Sequence, residues 1–262
     1  MTDKLSLPVD VRLMNLMAFV MLLAFVAMLV GALSLWLARQ QAFSLHGIAV
    51  TGELSHNNAV TLRANVTPRL SGSFFSIDLE RARLVFEALP WVRKAVVRRE
   101  FPDRLRVTLQ EHKALAYWGV EGEPKLVNSF GEVFEANLGE VEQEVLPRLH
   151  GPDTQAPQVL LMYQTLLPLF EEMDMTLDQL ELTGHGGWRA HFEEGAKVEL
   201  GSGSVSEVVA RTERFLRTLT QVTSRFGRKS DALETADLRH EDGYALRLRG
   251  VSTLASGGQQ KQ

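Results

Sequence analysis

The stretch from Leu89 to His112 alternates apolar and polar positions as the two strands of a β-hairpin do. In its second half the apolar residues recur at every other position, which is typical of a strand with one buried face. Its first half, Trp91 to Glu100, has an apolar centre between charged pairs. Pro102-Asp103 predicts the turn, because proline presets φ and aspartate can bond the backbone two residues on. No nucleophile stands beside a base here, so the pattern favours a docking element over a catalytic one.

A strand and two helical patterns precede this hairpin. The run Phe43 to Gly52 predicts the strand, and Ser55 or Asn57 is the expected N-cap of the first helix. Asp78 is the expected N-cap or first-turn acid of a second helix over Leu79 to Leu89, whose apolar residues fall on one face. The predicted order is therefore strand, helix, helix, strand, strand.

Downstream of the hairpin the pattern changes to short strands around two helices. The helix predicted over Val159 to Phe170 contains Pro168, which we expect to kink or shorten it because proline lacks the donor N–H. The helix predicted over Ser204 to Phe226 has apolar residues three and four apart, and Gly227 stands where a C-terminal glycine belongs. Strands are predicted for 114–118, 125–128, 131–134, 177–183, 188–193, 197–200, 233–239 and 244–249. This arrangement predicts an α+β fold.

The segment Leu13 to Ala38 carries no charge and exceeds the roughly 20 apolar residues that a membrane-spanning helix needs. Its end is a poor signal-peptide cleavage site, and Trp36 suits a membrane interface. We therefore expect an uncleaved transmembrane helix over 13–38. Lys4 and Arg12 precede it and slightly favour a cytoplasmic N-terminus.

These patterns predict five parts of the chain. They are a cytoplasmic tail at 1–12, the transmembrane helix at 13–38, a first domain at 43–112, a β domain with flanking helices at 113–250, and a tail at 251–262. We expect the last tail to be disordered, because Ser, Gly, Gln and Lys dominate it and cannot form an apolar core.

The amino-acid composition limits the kinds of partner and site that we expect for this chain. The chain has 262 residues, a formal net charge of −4 and no cysteine, which gives no reason to expect nucleic acid and excludes disulfides and thiolate metal sites. Its histidines are scattered, and none forms the H-x-x-H or H-E-x-x-H spacing of a metal site. The run Gly201 to Ser204 lacks the lysine and the spacing of a phosphate loop, so it indicates a loop with a serine N-cap. We expect no metal, no cofactor and no catalytic residue.

Several runs of sequence resemble the FtsQ/DivIB family of cell division proteins. Those in the first domain are IAVTG from Ile48, LPWV from Leu89 and REFPDRL from Arg99. Further along, LVN at Leu126 resembles a family run in which an acid replaces the asparagine, and both residues suit a turn. The resemblance implies a single membrane anchor, a POTRA domain of β-α-α-β-β order and a second β domain. It further implies a non-enzymatic divisome scaffold at the septum, in the inner membrane with its domains in the periplasm, that links early and late division proteins and regulates septal peptidoglycan synthesis.

The resemblance also implies partners. The family's closest partners are FtsB and FtsL, with FtsW and the peptidoglycan transpeptidase FtsI downstream, and the family binds FtsB through the region matched here by 237–243. The last strand, if it lies at a sheet edge, could receive a strand of the partner, with Arg239 meeting an acidic residue. The expected contact residues are Arg239, His240, Asp242, Gly243, Tyr244, Leu246 and Arg247. The family's second POTRA strand is implicated in septal localisation, and here it holds Val97 and Arg99.

Other interpretations stay open. A membrane-anchored periplasmic cell-wall hydrolase would need a nucleophile or a carboxylate pair in a cleft. A POTRA-bearing translocation or outer-membrane assembly factor normally carries several POTRA repeats or a barrel, and this chain shows one such unit and no run of barrel strands. The arginines of the last strand have a plainer explanation as protection of a sheet edge. Proline at Arg247 would test strand addition if the N–H of that residue points outward.

Overall fold

The chain divides into two compact units, Met1–Glu111 and His112–Gln262. The structure, a computed structural model, describes residues 9–38, 47–52, 54–70, 72–141, 145–240 and 243–251. The first unit holds a long apolar helix and a small domain, and the second holds a large sheet with two helices. Apart from Val251, the tail for which we expect disorder lies outside the described residues.

The long helix, α1 (Val9–Ala38), begins inside the segment expected to be a cytoplasmic tail. The part of it able to span a membrane runs from Asp10 to Trp36, with mean hydropathy 2.8 and no residue buried inside the protein. Large apolar side chains such as Phe19 and Phe25 are therefore exposed. A helix that is apolar all round and packs against nothing needs an apolar solvent, which fits a membrane anchor.

The small domain has the predicted order of strand, helix, helix, strand, strand. Its elements are β1 (Gly47–Gly52), α2 (Ala59–Val66), α3 (Leu79–Glu87), β2 (Val92–Glu100) and β3 (Arg104–Glu111). The sheet order is β1-β3-β2, so β3 is central, parallel to β1 and antiparallel to β2. Alternate residues of β3, including Leu105 and Val107, are buried in a core that also contains Phe86 of α3. The sequence pattern of the hairpin therefore predicted its buried face correctly.

One of the two helix caps predicted for this domain is wrong. Asp78 caps α3 as predicted, because its carboxylate accepts bonds from the next N–H groups of the helix. The helix α2 is capped by Asn58, whose Oδ1 accepts from the Val60 N–H at 2.9 Å, and not by Ser55 or Asn57. Those two residues donate their N–H groups to the buried carboxylate of Glu111, at 2.8 and 3.0 Å. The loop before α2 is thus held by the end of β3.

The second unit is built on one nine-stranded mixed sheet of order β12-β11-β10-β9-β8-β7-β4-β5-β6. Its strands are β4 (Ala114–Trp118), β5 (Lys125–Asn128), β6 (Val133–Glu135), β7 (Arg148–His150), β8 (Leu177–Leu182), β9 (Gly187–Phe192), β10 (Lys197–Ser202), β11 (Leu233–Asp237) and β12 (Ala245–Leu248). Three pairings are parallel, β4 with β7, β7 with β8, and β10 with β11, and the others are antiparallel. The short strand β7 was not predicted from the sequence.

Two helices, α4 (Ala156–Glu171) and α5 (Val205–Arg225), cover one face of this sheet. They contact each other and the central strands, and their apolar stripes share one core with Trp118 and Trp188. The helix α4 contains Pro168 and ends one residue after the predicted end at Phe170, so the proline does not shorten it. Proline removes only one N–H, and the helix continues because Leu166 and Phe170 on either side of it are buried.

The ends of α5 follow the sequence prediction closely. Ser204 is the N-cap and forms a capping box with Glu207. Gly227 has a positive φ of 64°, and its N–H donates to the Ser224 carbonyl at 3.0 Å while the Arg228 N–H donates to the Thr223 carbonyl at 3.0 Å. This pair of bonds is a Schellman motif, in which glycine avoids the steric cost of a left-handed residue. Local capping bonds therefore fix both ends of the helix.

Candidate partner-binding site

The last strand, β12, lies at one edge of the nine-stranded sheet, as the hypothesis of strand addition requires. It pairs antiparallel with β11, and Asp237 lies opposite Ala245 while Ala236 lies opposite Leu246. An edge strand presents a row of backbone N–H and C=O groups to whatever lies beside it. The side of β12 away from β11 is therefore a candidate surface for a partner strand.

The side chains of the strand alternate between the two faces of the sheet as predicted. Tyr244 and Leu246 pack against the core on the helix side. The Tyr244 ring meets Phe215 of α5 edge to face at 5.0 Å between centroids, and its hydroxyl lies 2.7 Å from Thr218 Oγ1. Arg247 is on the other face, where its Nε lies 3.2 Å from the Glu234 carboxylate. The strand is thus anchored to α5 by its inward side chains, and no further strand of the described residues pairs with its outer edge.

The direction of the backbone groups corrects one expectation about this edge. The Arg249 N–H donates to the Ala232 carbonyl at 2.8 Å, so it points into the sheet. Because N–H groups alternate sides along a strand, the Arg247 N–H also points toward β11 and the Leu246 N–H points outward. Proline at Arg247 would therefore break the sheet's own ladder instead of removing an outward donor. Among the described strands, β12 pairs only with β11, so the Leu246 N–H has no ladder partner on its outward side.

Arg239 follows β11 and forms a close ion pair with Asp237. Its Nε donates to Asp237 Oδ1 at 2.9 Å and its Nη2 donates to Oδ2 at 2.6 Å. These bonds lower the pKa of Asp237 to about 2, and the Asp237 carboxylate in turn raises the pKa of Arg239. The Arg239 side chain is still 63% exposed, so an acidic residue of a partner can reach it.

The remaining residues expected in the site are His240, Asp242 and Gly243. His240 and Gly243 are exposed next to the edge strand. Asp242 lies outside the described residues, so the turn predicted at Asp242-Gly243 stays a prediction.

Sequence reasoning missed part of the surface beside the edge strand. A groove of about 370 Å³ on the sheet face opposite the helices reaches from β10 to β12. Its lining includes Lys197, Glu199, Thr235, Asp237, Ala245 and Arg247. Arg189 joins this charged face, because it donates to Glu199 at 2.8 Å and to Glu181 at 3.0 Å. The contact between Asp237 and Arg239 was also not predicted, although their spacing of two residues, which places them on one side of a strand, is a signal that could have found it.

The two residues expected to serve in localisation, Val97 and Arg99, lie on β2 in the first unit. The strand β2 is also an edge strand. The Ala95 N–H donates to Glu87 of α3 at 3.0 Å, so it points away from β3. By alternation the N–H groups of Val97 and Arg99 point to the same open side. The Val97 side chain packs against the core, so its backbone and not its side chain is offered at this edge.

The Arg99 side chain binds within its own domain. Its Nε donates to the Phe74 carbonyl at 2.8 Å and its Nη2 donates to the Ile77 carbonyl at 2.7 Å. The guanidinium therefore holds the loop before α3 against the end of β2. Any variant at Arg99 changes this loop as well as the charge of the surface.

The described residues contain no arrangement that indicates metal chemistry. Within them, no group of three or more His, Cys, Asp or Glu side chains is placed to hold a metal ion. The one polar side-chain atom that is buried without a hydrogen bond there is Nδ1 of His56, which lies 3.6 Å from the Glu111 carboxylate and whose ring stacks on Trp91 at 3.7 Å. These contacts pack a loop against the sheet, and they include no nucleophile.

Comparison with known proteins identifies both units. Residues 43–112 match the family model "POTRA domain, FtsQ-type", and residues 116–239 match "Cell division protein FtsQ/DivIB, C-terminal". The chain is 38% identical over 246 residues to cell division protein FtsQ of Burkholderia pseudomallei, covering 94% of this chain and 96% of the relative. It is 38% identical to FtsQ of Thiomonas arsenitoxydans over 94% of this chain and 90% of the relative. For FtsQ of Bordetella pertussis the identity is 34%, over 91% and 92% of the two chains. The chain therefore belongs to the FtsQ family of cell division proteins, with a membrane anchor, a POTRA domain and a C-terminal sheet domain.

Proposed function

We propose that this chain is a non-enzymatic scaffold of the division machinery that binds a strand of FtsB, in complex with FtsL, along the open edge of β12. Through these partners it acts on FtsW and FtsI and so regulates septal peptidoglycan synthesis. The N-terminus lies in the cytoplasm, α1 spans the inner membrane once, and both folded units lie in the periplasm at the septum. The observation that carries this proposal is the outward N–H of Leu246 on an edge strand whose side chains are anchored to α5.

Strand addition explains how such an edge gives both affinity and specificity. Main-chain hydrogen bonds to the outward groups of Leu246 would supply affinity that depends little on sequence. Side chains of the partner would enter the adjoining groove, where Lys197 and Arg247 offer positive charge, and would meet Arg239 through its ion pair with the lining residue Asp237. An acidic residue of the partner would share Arg239 with Asp237, and such a charge-assisted contact would add specificity to the main-chain bonds.

A binding assay with matched variants tests this proposal. The full chain in nanodiscs is titrated with the periplasmic segment of FtsB, and the Kd is compared for the parent, Leu246→Pro and Arg239→Glu. We expect Leu246→Pro to abolish binding because it removes the outward donor, and Arg239→Glu to do so by charge repulsion. Arg225→Glu, an equal charge reversal in the last turn of α5, is the control and should bind like the parent. Parent-like binding by both folded variants would exclude the edge of β12.

Topology and catalysis have their own tests. A reporter enzyme that is active only outside the cytoplasm, fused after Gly250, should be active, and activity of a cytoplasmic reporter there would reverse the orientation. Purified chain incubated with peptidoglycan should release no fragments. Steady release of fragments by the parent chain would favour the hydrolase alternative.

We assign septal localisation to the open half of β2, where the backbone groups of Val97 and Arg99 point outward. Arg99→Glu should lower the fraction of a fluorescent fusion found at mid-cell. Lys94→Glu makes the same charge reversal at another exposed residue of β2, away from the loop before α3, and should localise like the parent. Equal localisation of both variants and the parent would remove this strand from the proposal.

A further inference from the structure

Two exposed phenyl rings lie together at one end of the POTRA sheet. Phe101, in the turn between β2 and β3, is 80% exposed, and Phe75, in the loop before α3, is 53% exposed. Between them lies the buried ring of Phe74, with centroids 5.1 Å from Phe75 and 6.5 Å from Phe101. We call Phe75 and Phe101 the aromatic tip. Exposed apolar rings grouped in this way mark an interaction surface.

The aromatic tip is held in place by Arg99. Its guanidinium donates to the carbonyls of Phe74 and Ile77, which ties the loop carrying Phe75 to the strand that leads to Phe101. Two segments that are distant in sequence are thereby kept side by side. The bonds of Arg99 therefore hold the two rings close together. Both rings lie in internal segments of the chain.

Strand register places the aromatic tip at the end of the domain where the chain arrives from the membrane. Gly47, the first residue of β1, lies opposite Arg104, the first residue of β3. The turn that carries Phe101 ends at that same point of β3. Only residues 39–46 separate Gly47 from the end of α1 at Ala38, and this link spans at most about 30 Å at ~3.3 Å per residue. The tip is thus within reach of the bilayer that holds α1.

Charge at this end of the sheet differs from that of the whole chain. Residues 98–106 contain four arginines and two carboxylates, whereas the whole chain has a net charge of −4. Arg106 is paired with Glu100, and Arg99 holds the loop. Arg98 and Arg104, on either side of Phe101 in sequence, stay exposed, and Arg104 approaches Asp103 only at 4.0 Å. Aromatic rings flanked by exposed basic groups match the boundary between acyl chains and anionic headgroups.

We propose that the aromatic tip docks on the anionic lipid surface of the membrane that holds α1, with Phe75 and Phe101 entering the interface and Arg98 and Arg104 contacting lipid phosphates. Docking would orient the POTRA domain relative to the membrane and keep the two open N–H groups of β2 close to its surface. The inference needs only the membrane anchor and does not depend on which partners the chain binds.

The absence of cysteine from the chain allows a direct test. The full chain is placed in nanodiscs with a single nitroxide label at Asp103→Cys, beside Phe101, or at Lys94→Cys, an exposed position toward the other end of β2. Accessibility to a water-soluble nickel complex is measured by electron paramagnetic resonance in nanodiscs rich in phosphatidylglycerol and in nanodiscs of phosphatidylcholine alone. We expect accessibility at residue 103 to be severalfold lower in the anionic nanodiscs and accessibility at residue 94 to be the same in both.

Two further variants separate the rings from the charges. In the Asp103→Cys background, Phe75→Ser with Phe101→Ser should restore full accessibility in both kinds of nanodisc. Arg98→Gln with Arg104→Gln should remove the difference between the lipids. These side chains are exposed, so circular dichroism should match the parent. Equal accessibility at residues 103 and 94 in anionic nanodiscs, or no effect of the serine pair, would overturn the proposal and leave the rings as a protein-binding surface.

Discussion

Each of the two units has an edge strand, and the outward N–H groups of the two strands are covered to different extents. In the POTRA domain β2 has nine residues, and at its middle Glu87 of α3 accepts the outward Ala95 N–H at 3.0 Å. In the sheet domain β12 has four residues, and no side chain among the described residues covers its outward N–H at Leu246. A long edge is thus partly covered and a short one is left open.

The two strands also differ in the contacts that hold them to the rest of their unit. The covered strand β2 places Ala95 and Val97 in the core of a three-stranded sheet. The open strand β12 is fixed by Tyr244, which packs on Phe215 and bonds Thr218. A carboxylate that bonds an edge N–H competes with any incoming strand, whereas a tyrosine on the inner face does not. The comparison therefore leaves β12 with the more open backbone edge, whereas the open part of β2 is limited to the short stretch after Ala95.

The largest effect should come from proline placed at adjacent positions of β12. Arg247→Pro removes an N–H that points into the sheet and should lower the free energy of unfolding by about 3 kcal/mol. Leu246→Pro removes an outward N–H and replaces a half-buried leucine by a smaller side chain. We therefore expect it to lower the free energy of unfolding by only about 1 kcal/mol. Urea unfolding of a fragment over 43–262 measures both. Equal losses would mean that the backbone directions inferred for the edge are reversed.

The anchoring of β12 should give the next largest effect. Tyr244→Ala removes the contact with Phe215 and the hydroxyl bond to Thr218, and should cost about 2–3 kcal/mol. Tyr244→Phe keeps the ring contact and should cost about 1 kcal/mol. The same unfolding assay applies, with hydrogen exchange of the β12 amides as a second measurement. A parent-like Tyr244→Ala would show that other contacts hold the strand.

Removing the Glu87 carboxylate, which accepts the outward Ala95 N–H of β2, should have a smaller and local effect. Glu87→Ala leaves the Ala95 N–H without its acceptor, and we expect a loss of about 1 kcal/mol together with faster exchange of that amide. Glu87 also bonds Arg83, so Glu80→Ala, which removes the other carboxylate partner of Arg83, is the control and should leave Ala95 exchange unchanged. Unchanged exchange at Ala95 in Glu87→Ala would contradict the comparison.

The smallest effect concerns pH at the open edge. Because Arg239 lowers the pKa of Asp237 to about 2, the ionised carboxylate stabilises the folded state above the ordinary pKa of about 3.9. That contribution is lost as the pH falls from about 4 to about 2. Carbon-13 NMR of the Asp237 carboxyl should show a midpoint near 2 in the parent. In Arg239→Gln it should rise toward the ordinary value, and an unchanged midpoint would exclude the ion pair as its cause.

Local features of the sequence predicted most of the elements. The period of two in β3, the Asp78 cap, and the serine and glycine at the ends of α5 were all readable because each depends on neighbouring residues. The edge position of β12 was only a condition of the sequence hypothesis, and the strand order of the sheet established it. Of the two effects expected of Pro168 in α4, a kink or a shortening, the shortening does not occur, because a buried stripe outweighs one missing donor.

Asn128 illustrates what the local pattern does not contain. In sequence it stands in a turn where an acid also fits, yet its side chain is fully buried. Its Oδ1 accepts from the N–H groups of Phe130 and Glu132, both at 2.9 Å, while its Nδ2 donates to the Glu132 carboxylate at 2.7 Å. An ionised aspartate has no donor for that carboxylate. The requirement for an amide follows from the neighbours, and not from the turn.

The sequence by itself therefore determined the anchor, the β-α-α-β-β order, the capped helix α5 and the family, because apolar period and capping chemistry are local. Only the tertiary structure decided the parallel pairings of β7 with β4 and β8, the side of β12 on which the Leu246 N–H emerges, and the cover that Glu87 gives to β2. These depend on the register between strands and on the packing of helices over them. A shift of one residue in register would turn every side chain to the other face, so the long-range packing of the core sets which groups are left for a partner.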